Sequence, residues 1–427
     1  MWIWNLMNNQ SLRNALRVFE RTEENYIEAL REKGLTFADA DARHDAIDEL
    51  RRQLADRGAE MRNGGASIRV GWLSPACVEC TGANGSETFS TTFKCHRDCY
   101  FCFNYNLADY DKFVEEGCPW EEVMQQAAQS TGGKMAVVGL TGGEPLLNFA
   151  DTLAFLARAH ELFGDAHKRM YTSGDLLTRE MAEQLRDAGL DEIRFSIKQD
   201  DTDEQRERVL ANMQMATEYI PSVMVEMPII PGTDDAMRDW MRRFDEAGID
   251  GMNLLEFCFP FHSWEEFAKR GFELRNPPFD VMYDYNYSGG LAIDGSEQLA
   301  LELMLWAMDE GLSFGMHYCS LDNKHRSEMR QMNEVGRDMH PCFSFDEEDF
   351  FLKSGKVFGK DVEMARKRLQ AAGCTDYIES THEHSLAFPL GFVDALAGTR
   401  CTPVVSYNVL ERDDQGRYLR EVGLEVL

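Results

Sequence analysis

The stretch Phe93-Lys94-Cys95-His96-Arg97-Asp98-Cys99-Tyr100-Phe101-Cys102 carries three cysteines in the spacing CxxxCxxC. Because the three thiols fall in one short loop, they can converge on a single metal centre. Soft thiolate ligands suit zinc or an iron–sulfur centre. A structural zinc ion or an electron-transfer cubane takes four protein ligands, so three in one loop leave a metal position open. The alternative is a zinc site that Cys77 or Cys80 completes.

This cysteine loop follows the first of six predicted strands, which alternate with helices. The predicted strands are 88–94, 135–140, 169–172, 192–197, 222–229 and 251–257. The predicted helices between them lie near 119–130, 149–163, 177–188, 203–218 and 234–247. Strand–helix units in series imply parallel strands with crossover helices, and hence a barrel or part of one. Such a fold places its chemistry at the carboxyl ends of the strands.

A second motif ends the second predicted strand, which reads Gly139-Leu140-Thr141-Gly142-Gly143-Glu144-Pro145. Glycines let a ligand approach the backbone, and a carboxylate accepts hydrogen bonds from a cation. Proline then ends the strand. Alone, Gly142-Gly143-Glu144-Pro145 would be an ordinary turn, but here it ends the strand that comes next after the cysteine loop.

Together, the two motifs resemble those of the radical S-adenosylmethionine (SAM) superfamily, including the aromatic Phe101 directly before the last cysteine. The resemblance implies an α/β fold, a partial (β/α)6 barrel, here with a helical N-terminal extension and a small C-terminal α/β domain. It implies that a [4Fe–4S] cluster is held by Cys95, Cys99 and Cys102, with the amine and carboxylate of SAM on the fourth iron. It implies that the reduced cluster cleaves SAM to a 5′-deoxyadenosyl radical, which abstracts hydrogen from a substrate. The SAM-binding residues implied by the second motif are Thr141, Gly142, Gly143 and Glu144, and a flavodoxin or ferredoxin is implied as the electron donor.

The later strands supply weaker candidates for SAM binding. They are Ser196 in the fourth strand, Glu226 in the fifth and Asn253 in the sixth. The alternative for each is simple solvation of a polar residue at the end of a strand.

A second set of cysteines lies outside the loop. Cys77 and Cys80 form a CxxC, which is half of a tetrahedral metal site, and Cys319 and Cys342 are candidates to complete it. We therefore expect a second metal, either zinc, iron or an auxiliary iron–sulfur cluster. The alternative is four ordinary free thiols.

The CxxC followed by CxxxCxxC and by a late His317-Tyr318-Cys319-Ser320 is similar to a poorly characterised group of this superfamily. Its members are described as pyruvate-formate-lyase-activating-enzyme-like. The resemblance covers residues 72–330. True activating enzymes of this kind are shorter and lack the N-terminal and C-terminal regions of this chain.

The composition limits the classes of partner. The 427 residues carry a formal net charge of −30, which opposes general binding to nucleic acid or to an anionic membrane. The first residues lack the pattern of a secretory leader, and no apolar run is long enough to span a membrane. We therefore expect a cytoplasmic enzyme whose cysteines are reduced.

Three regions are expected along the chain. Residues 1–70 read as a helical extension, residues 71–330 as the barrel, and residues 345–427 as a small α/β domain. The barrel includes an insertion, residues 259–294, that is rich in aromatic side chains and is either a packed insertion or a lid on the substrate side.

These features favour radical chemistry on a protein or peptide side chain, because a polypeptide substrate needs surface beyond the barrel. The runner-up is radical chemistry on a small metabolite, with the insertion as a lid. A non-catalytic metal-binding scaffold is the third interpretation.

Overall fold

The structure is a computed structural model that describes residues 9–40, 42–107, 109–198, 201–279, 290–413 and 416–427. It divides into two compact units. The larger unit consists of the described residues within 36–278 and 290–323. The smaller unit consists of the described residues within 9–35 and 324–427, together with residue 279.

The larger unit is built on a nine-stranded sheet. Its strands are β1 (Glu60–Arg62), β2 (Ser67–Val70), β3 (Ser86–Ser90), β4 (Val137–Thr141), β5 (His167–Thr172), β6 (Glu192–Phe195), β7 (Ser222–Ile229), β8 (Gly251–Glu256) and β11 (Gly315–Cys319), and the short pair β9 (Cys258–Phe259) and β10 (Leu291–Ala292) stands apart. The spatial order is β1-β2-β11-β8-β7-β6-β5-β4-β3. The strands from β11 to β3 are parallel, whereas β2 is antiparallel to both of its neighbours. The carboxyl ends of the parallel strands therefore share one edge of the sheet.

Helices connect these strands. The α-helices are α1 (Gln10–Glu32), α2 (His44–Asp56), α3 (Pro75–Cys80), α4 (Tyr110–Glu116), α5 (Trp120–Thr131), α6 (Phe149–Phe163), α7 (Arg179–Asp187), α8 (Asp203–Ala216), α9 (Asp234–Ala247), α10 (Trp264–Lys269), α11 (Ser296–Glu310), α12 (Leu321–Glu334) and α13 (Val362–Ala371). Within the described ranges, none of them has both the length and the apolar character needed to cross a lipid bilayer.

Local sequence accounts for the ends of these helices. Helix α8 begins with a capping box, in which the Thr202 hydroxyl accepts from the Gln205 N–H and the Gln205 side chain accepts from the Thr202 N–H. Helix α9 ends at Gly248 in the left-handed conformation, which glycine adopts without steric cost. The apolar faces of the helices pack on the sheet, with Phe155, Met170 and Phe244 fully buried in one core.

The predicted α/β fold with a partial barrel is confirmed, and each of the six predicted strands overlaps an observed one. The expected helical extension of residues 1–70 is divided differently. Its last residues form β1 and β2, which join the barrel sheet beside β11. Strands of three and four residues are too short to give a recognisable sequence period, which explains why they were not predicted.

The smaller unit contains an antiparallel sheet. Its strands are β12 (Ser344–Phe345), β13 (Leu352–Phe358), β14 (Ile378–Ser380), β15 (Ser385–Phe388), β16 (Val404–Asp413) and β17 (Gly416–Val426). The order is β14-β15-β13-β16-β17, and β12 pairs with β13. Helix α1 belongs to this unit, where Leu12 packs with Phe358 and Val404.

The aromatic insertion is described in part. Residues 280–289 lie outside the described residues, and the rest contains helix α10. Phe267 of this helix is fully buried, and its ring packs against those of Tyr100, Phe257 and Phe259. The described part of the insertion therefore has an aromatic core that includes a residue of the cysteine loop.

Candidate active site

The cysteine loop follows β3 at the carboxyl edge of the sheet. Cys95 is exposed, and Cys99 and Cys102 are partly buried. Burial raises the pKa of both the Cys95 and the Cys102 thiols, and the N–H of Arg97, which donates to Cys95 Sγ at 3.4 Å, opposes this at Cys95. The charge of Cys95 also raises the pKa of Cys102.

The donor set fits a polynuclear centre better than a single ion. In the described part of the chain, no three His, Cys, Asp or Glu side chains are grouped to hold one metal ion. The zinc alternative needs a fourth thiol from Cys77 or Cys80, and Cys77 Sγ accepts instead from Arg194 and Asn253. Three thiols on one loop are a donor set that suits an iron–sulfur cluster.

The glycines of the second motif pack against the cysteine loop itself. The Gly143 N–H donates to Thr92 O, and the Glu144 N–H donates to Lys94 O, each at 2.8 Å. A Cβ atom on Gly142 would lie 2.4 Å from Thr92 O, and one on Gly143 would lie 2.1 Å from Lys94 O. Contacts this short are excluded, so only glycine fits at either position. We expected these glycines to admit a ligand, but the group that approaches them is the backbone leading into the cysteine loop.

Glu144 is engaged by protein donors on both carboxylate oxygens. Oε1 accepts from Thr172 Oγ1 at 2.7 Å and from the Leu146 N–H at 3.1 Å. Oε2 accepts from the N–H and the hydroxyl of Ser173, at 2.7 and 2.6 Å. The residue is 1% exposed. Because a carboxylate has about four acceptor positions, this one is saturated, and it ties the end of β4 to the end of β5.

A clamp of charged residues holds the middle of the cysteine loop. Arg97 donates to both oxygens of Asp201, at 2.7 and 3.1 Å, and lies 3.4 Å from Asp175. His96 Nε2 lies 2.9 Å from Asp175. Burial raises the pKa of Asp175, but hydrogen bonds from His96 and Ser173 and the charge of Arg97 outweigh it and lower that pKa overall. The two aspartates follow β5 and β6, so three strand ends meet at this loop.

Lys198 provides a positive charge beside the cysteine loop. Its charge lowers the pKa of both Cys95 and Cys102, and its Nζ lies 6.0 Å from the centre of the Phe101 ring. Nζ also donates to Ser196 Oγ at 2.7 Å, which occupies that candidate SAM-binding hydroxyl. Sequence reasoning named Ser196 and missed Lys198, although both lie in the same short segment after β6.

Two of the remaining SAM-binding candidates, Glu226 and Asn253, contact each other. Asn253 Nδ2 donates to Glu226 at 2.7 Å, and Asn253 Oδ1 lies 3.0 Å from His317 Nδ1. Glu226 also accepts from Arg194. Thr141 is the last residue of β4 and pairs with Ser90 of β3, at the same edge as the cysteine loop. Of the weaker candidates, Glu226 and Asn253 thus belong to a buried polar network.

Cys77 is part of the same network. It is buried, and its Sγ accepts from Arg194 Nη2 and from Asn253 Nδ2, each at 3.3 Å. Burial raises the pKa of this thiol, but the charge of Arg194 and contacts with His317 outweigh it and lower the pKa to about 6. The Cys77 thiol is therefore held by an arginine and an asparagine.

The other cysteines expected at a second metal site have protein surroundings of their own. Cys80 ends helix α3, and Cys319 Sγ accepts from Asn323 Nδ2 at 3.3 Å. Cys342 lies in the smaller unit, where its thiol donates to Asp376 O at 3.2 Å. Since the described residues hold no three-residue group for one ion, the second metal site expected from the CxxC spacing is not supported.

A groove of about 650 Å³ borders the cysteine loop. Its walls include Asp98, Tyr100, Tyr105, Tyr110, His262 and Glu266. The Tyr105 ring packs against Tyr110 and against His262, with centroids 4.8 Å apart in each case. The groove thus joins the cysteine loop to the aromatic insertion.

Comparison with known proteins agrees with this geometry. Residues 89–245 match the family model of the Radical SAM superfamily. A protein of Methanocaldococcus jannaschii, provisionally named a glycyl-radical enzyme activating enzyme, is 29% identical over 311 residues, which cover 68% of this chain and 76% of the relative.

Two solved structures resemble the chain more distantly. SuiB of Streptococcus suis, bound to the precursor peptide SuiA, is 14% identical with a TM-score of 0.39, and the match covers 73% of this chain and 63% of that one. Coproporphyrinogen III oxidase of Escherichia coli is 15% identical with a TM-score of 0.38, and covers 61% and 62%. The chain thus spans less than two thirds of each of these proteins.

The matched segment begins at β3 and contains the cysteine loop, the Gly142-Gly143-Glu144 turn, the aspartate clamp and Lys198. The segment that carries the site matches the radical SAM model, and the chain is an enzyme that is similar to members of the radical SAM superfamily.

Proposed function

We propose that this enzyme reductively cleaves SAM and uses the resulting 5′-deoxyadenosyl radical to abstract hydrogen from a protein or peptide side chain. The observation that carries the proposal is the cysteine loop, which is seated on the glycine turn, clamped by Asp175 and Asp201 and faced by Lys198.

This geometry supports a choice of residues that would hold the cofactors. Cys95, Cys99 and Cys102 would bind a [4Fe–4S] cluster, which supplies, when bound, the electron that breaks the sulfonium bond of SAM. Gly142, Gly143 and Glu144 fix the loop, and Thr141 lies beside them at the edge where SAM would bind. Lys198 stabilises the thiolate forms of Cys95 and Cys102, which the metal requires.

Two observations support a polypeptide substrate. The relative named as an activating enzyme carries a name that makes another protein its substrate. The groove beside the cysteine loop is as large as a ligand pocket of ordinary size and is bordered by aromatic rings, which suits an extended peptide segment. A flavodoxin or ferredoxin in the cytoplasm would supply the electron.

The first test is anaerobic reconstitution with iron and sulfide, reduction, and measurement of 5′-deoxyadenosine formed from SAM. We expect product from the native enzyme and none from Cys95→Ala. Cys118→Ala is the matched control, because Cys118 is a partly buried thiol that lies outside the cysteine loop. Equal product from both variants would exclude a cluster on the loop.

The substrate class is tested by hydrogen transfer. An extract of the organism that encodes the chain, grown in deuterated medium, is separated into macromolecules and small molecules. We expect deuterium to enter 5′-deoxyadenosine only with the macromolecular fraction, and only before protease treatment. Transfer from the small-molecule fraction alone would replace the polypeptide substrate with a metabolite.

A further inference from the structure

Arg169 is a buried cation inside the barrel that has no anionic partner. The residue is 7% exposed, and its Nε makes no hydrogen bond. Nη2 donates to Thr88 Oγ1 at 3.2 Å, and the guanidinium lies 5.5 Å from the centre of the Tyr171 ring. In the part of the chain that the structure describes, no carboxylate lies within ion-pair distance of it. A buried charge without a partner is costly, so a chain keeps one only where it serves a purpose.

The neighbouring carboxylates are committed elsewhere. Glu192 pairs with Arg169 in the strand register, yet its carboxylate binds Arg194, Ser74 and His167. Glu226 binds Arg194 and Asn253. In a protein with a net charge of −30, the lack of a carboxylate at Arg169 is a local exception.

The edge of the Arg169 guanidinium is left uncovered by Gly139 and is near the solvent-exposed Thr88. Gly139 lies beside Arg169, and a Cβ there would be 3.1 Å from Arg169 Nε and 2.9 Å from Thr88 Oγ1. Any larger residue would therefore press on the unpartnered edge of the guanidinium. Thr88 itself is exposed on the edge strand β3, so a ligand can reach this corner from solvent.

We infer that Arg169, with Thr88 and Tyr171, binds a carboxylate group of the substrate inside the barrel. A single guanidinium with one hydroxyl matches a planar monoanion, which it can bind through two parallel N–H donors. A phosphate dianion would need further donors, such as the N-terminus of a helix or a glycine-rich loop. For the polypeptide substrate proposed above, the carboxylate belongs to an acidic side chain or to a C-terminus. That the ligand is the substrate rests on the proposed function, whereas the binding site itself is inferred from the contacts of Arg169.

The carboxylate of SAM is a second source of the same chemistry. Arg169 is the third residue of β5, whereas Thr172 and Ser173, which hold Glu144, follow at the end of that strand. The guanidinium thus lies deeper along the strand than the turn where SAM would bind, which favours the substrate as the source.

The test measures thermal unfolding of the cluster-reconstituted full chain, with N-acetylglycine as the carboxylate probe and N-acetylglycinamide as the uncharged match. We expect N-acetylglycine at saturation to raise the Tm by about 2 °C or more, and the amide to leave it unchanged. Arg169→Met keeps an apolar stem without charge, and we expect it to abolish the shift without lowering the Tm of the unliganded enzyme. Arg186→Gln, at an exposed arginine, is the matched control and should keep the shift.

Four outcomes would overturn the inference. The first is a rise in Tm with N-acetylglycine that survives in Arg169→Met, and the second is an equal rise with N-acetylglycinamide. The third is an Arg169-dependent rise in Tm with inorganic phosphate but not with carboxylates. The fourth is an Arg169-dependent rise in Tm that only SAM produces. Since the readout is binding, it is separate from the proposed function: absence of 5′-deoxyadenosine would refute SAM cleavage and leave this measurement unaffected.

Discussion

Replacement of Glu144 by alanine tests whether this residue holds the site together or contacts SAM directly. The change removes an acceptor of four hydrogen bonds. It leaves the Thr172 hydroxyl and the Leu146 and Ser173 N–H groups without their partner, whereas the Ser173 hydroxyl keeps Asp175 Oδ1 at 2.8 Å. A hydrogen bond to a charged group contributes about 1.5–3 kcal/mol, and losses of neighbouring bonds are not additive, since water and local relaxation recover part of them. We therefore expect the larger unit to lose about 3–5 kcal/mol of stability.

Two further variants set the scale. Glu144→Gln keeps the shape and one acceptor oxygen but turns an NH2 group toward donors, so we expect about half of the loss, roughly 2 kcal/mol. Glu161→Ala removes an exposed glutamate that pairs only with Arg158 on the same helix, and it should stay within about 0.5 kcal/mol of the native protein.

The assay is urea unfolding of the apoprotein, followed by hydrogen exchange at the Ser173 amide, which reports the larger unit without contributions from the smaller one. SAM affinity of the reconstituted variants is measured in parallel. The reasoning would be refuted if Glu144→Ala matched Glu161→Ala in stability and in Ser173 exchange while binding SAM far more weakly. That combination would make the carboxylate a direct ligand of SAM, as the motif alone suggested.

Three further predictions concern the cysteine loop and the buried thiol. Gly143→Ala places a methyl group 2.1 Å from Lys94 O, so we expect the folded state to lose about 1–3 kcal/mol of stability. We also expect poor cluster loading, measured as iron per chain. The control is Gly391→Ala, where the methyl group meets nothing within 4 Å, and this variant should load iron normally. Lys198→Met removes the charge that lowers the pKa of Cys95 and Cys102, and the cluster absorbance should then need a higher pH to appear. An unchanged pH profile would contradict the role of Lys198. Cys77 has a folded-state pKa of about 6 against an ordinary 9.0, so its stabilising contribution is fully present above pH 9 and lost as the pH falls through 6. The stability of the native protein relative to Cys77→Ser should therefore rise between pH 6 and pH 9, and a constant difference would show that the buried thiol stays protonated.

The sequence predicted the parts of this structure that are local. The cysteine loop and the Gly142-Gly143-Glu144 turn are contiguous motifs, and the strands around them have enough apolar residues to be recognised. Parallel topology then places their carboxyl ends together, which locates the candidate site. The strands β1 and β2 were missed, because their place in the sheet depends on pairing with β11, far along the chain.

The contacts that complete the site could not be predicted in the same way. Arg97 and Asp201 are 104 residues apart, and an aspartate after a strand is usually a solvated loop residue. Cys77 and Arg194 are 117 residues apart, and the CxxC spacing pointed to metal because nothing in that segment indicates an arginine partner. Arg169 stands out only because no carboxylate of the described residues pairs with it, and this can be seen only in the structure.

The two motifs are best understood as one feature of the structure. The cysteine loop approaches Gly142 and Gly143 so closely that its backbone fills the space where their side chains would be, and the two N–H groups of Gly143 and Glu144 hold it there. Glu144 in turn fixes the end of β5, which is followed by the Asp175 that binds His96 of the same loop. These contacts close a ring that begins and ends at the cysteine loop and involves only protein atoms. A loop held in this way has its conformational entropy removed by folding, so a cluster that binds its thiols does not have to order them. We therefore expect the glycine turn to affect cluster binding as much as SAM binding, so that substitutions there reduce iron content before they reduce SAM affinity.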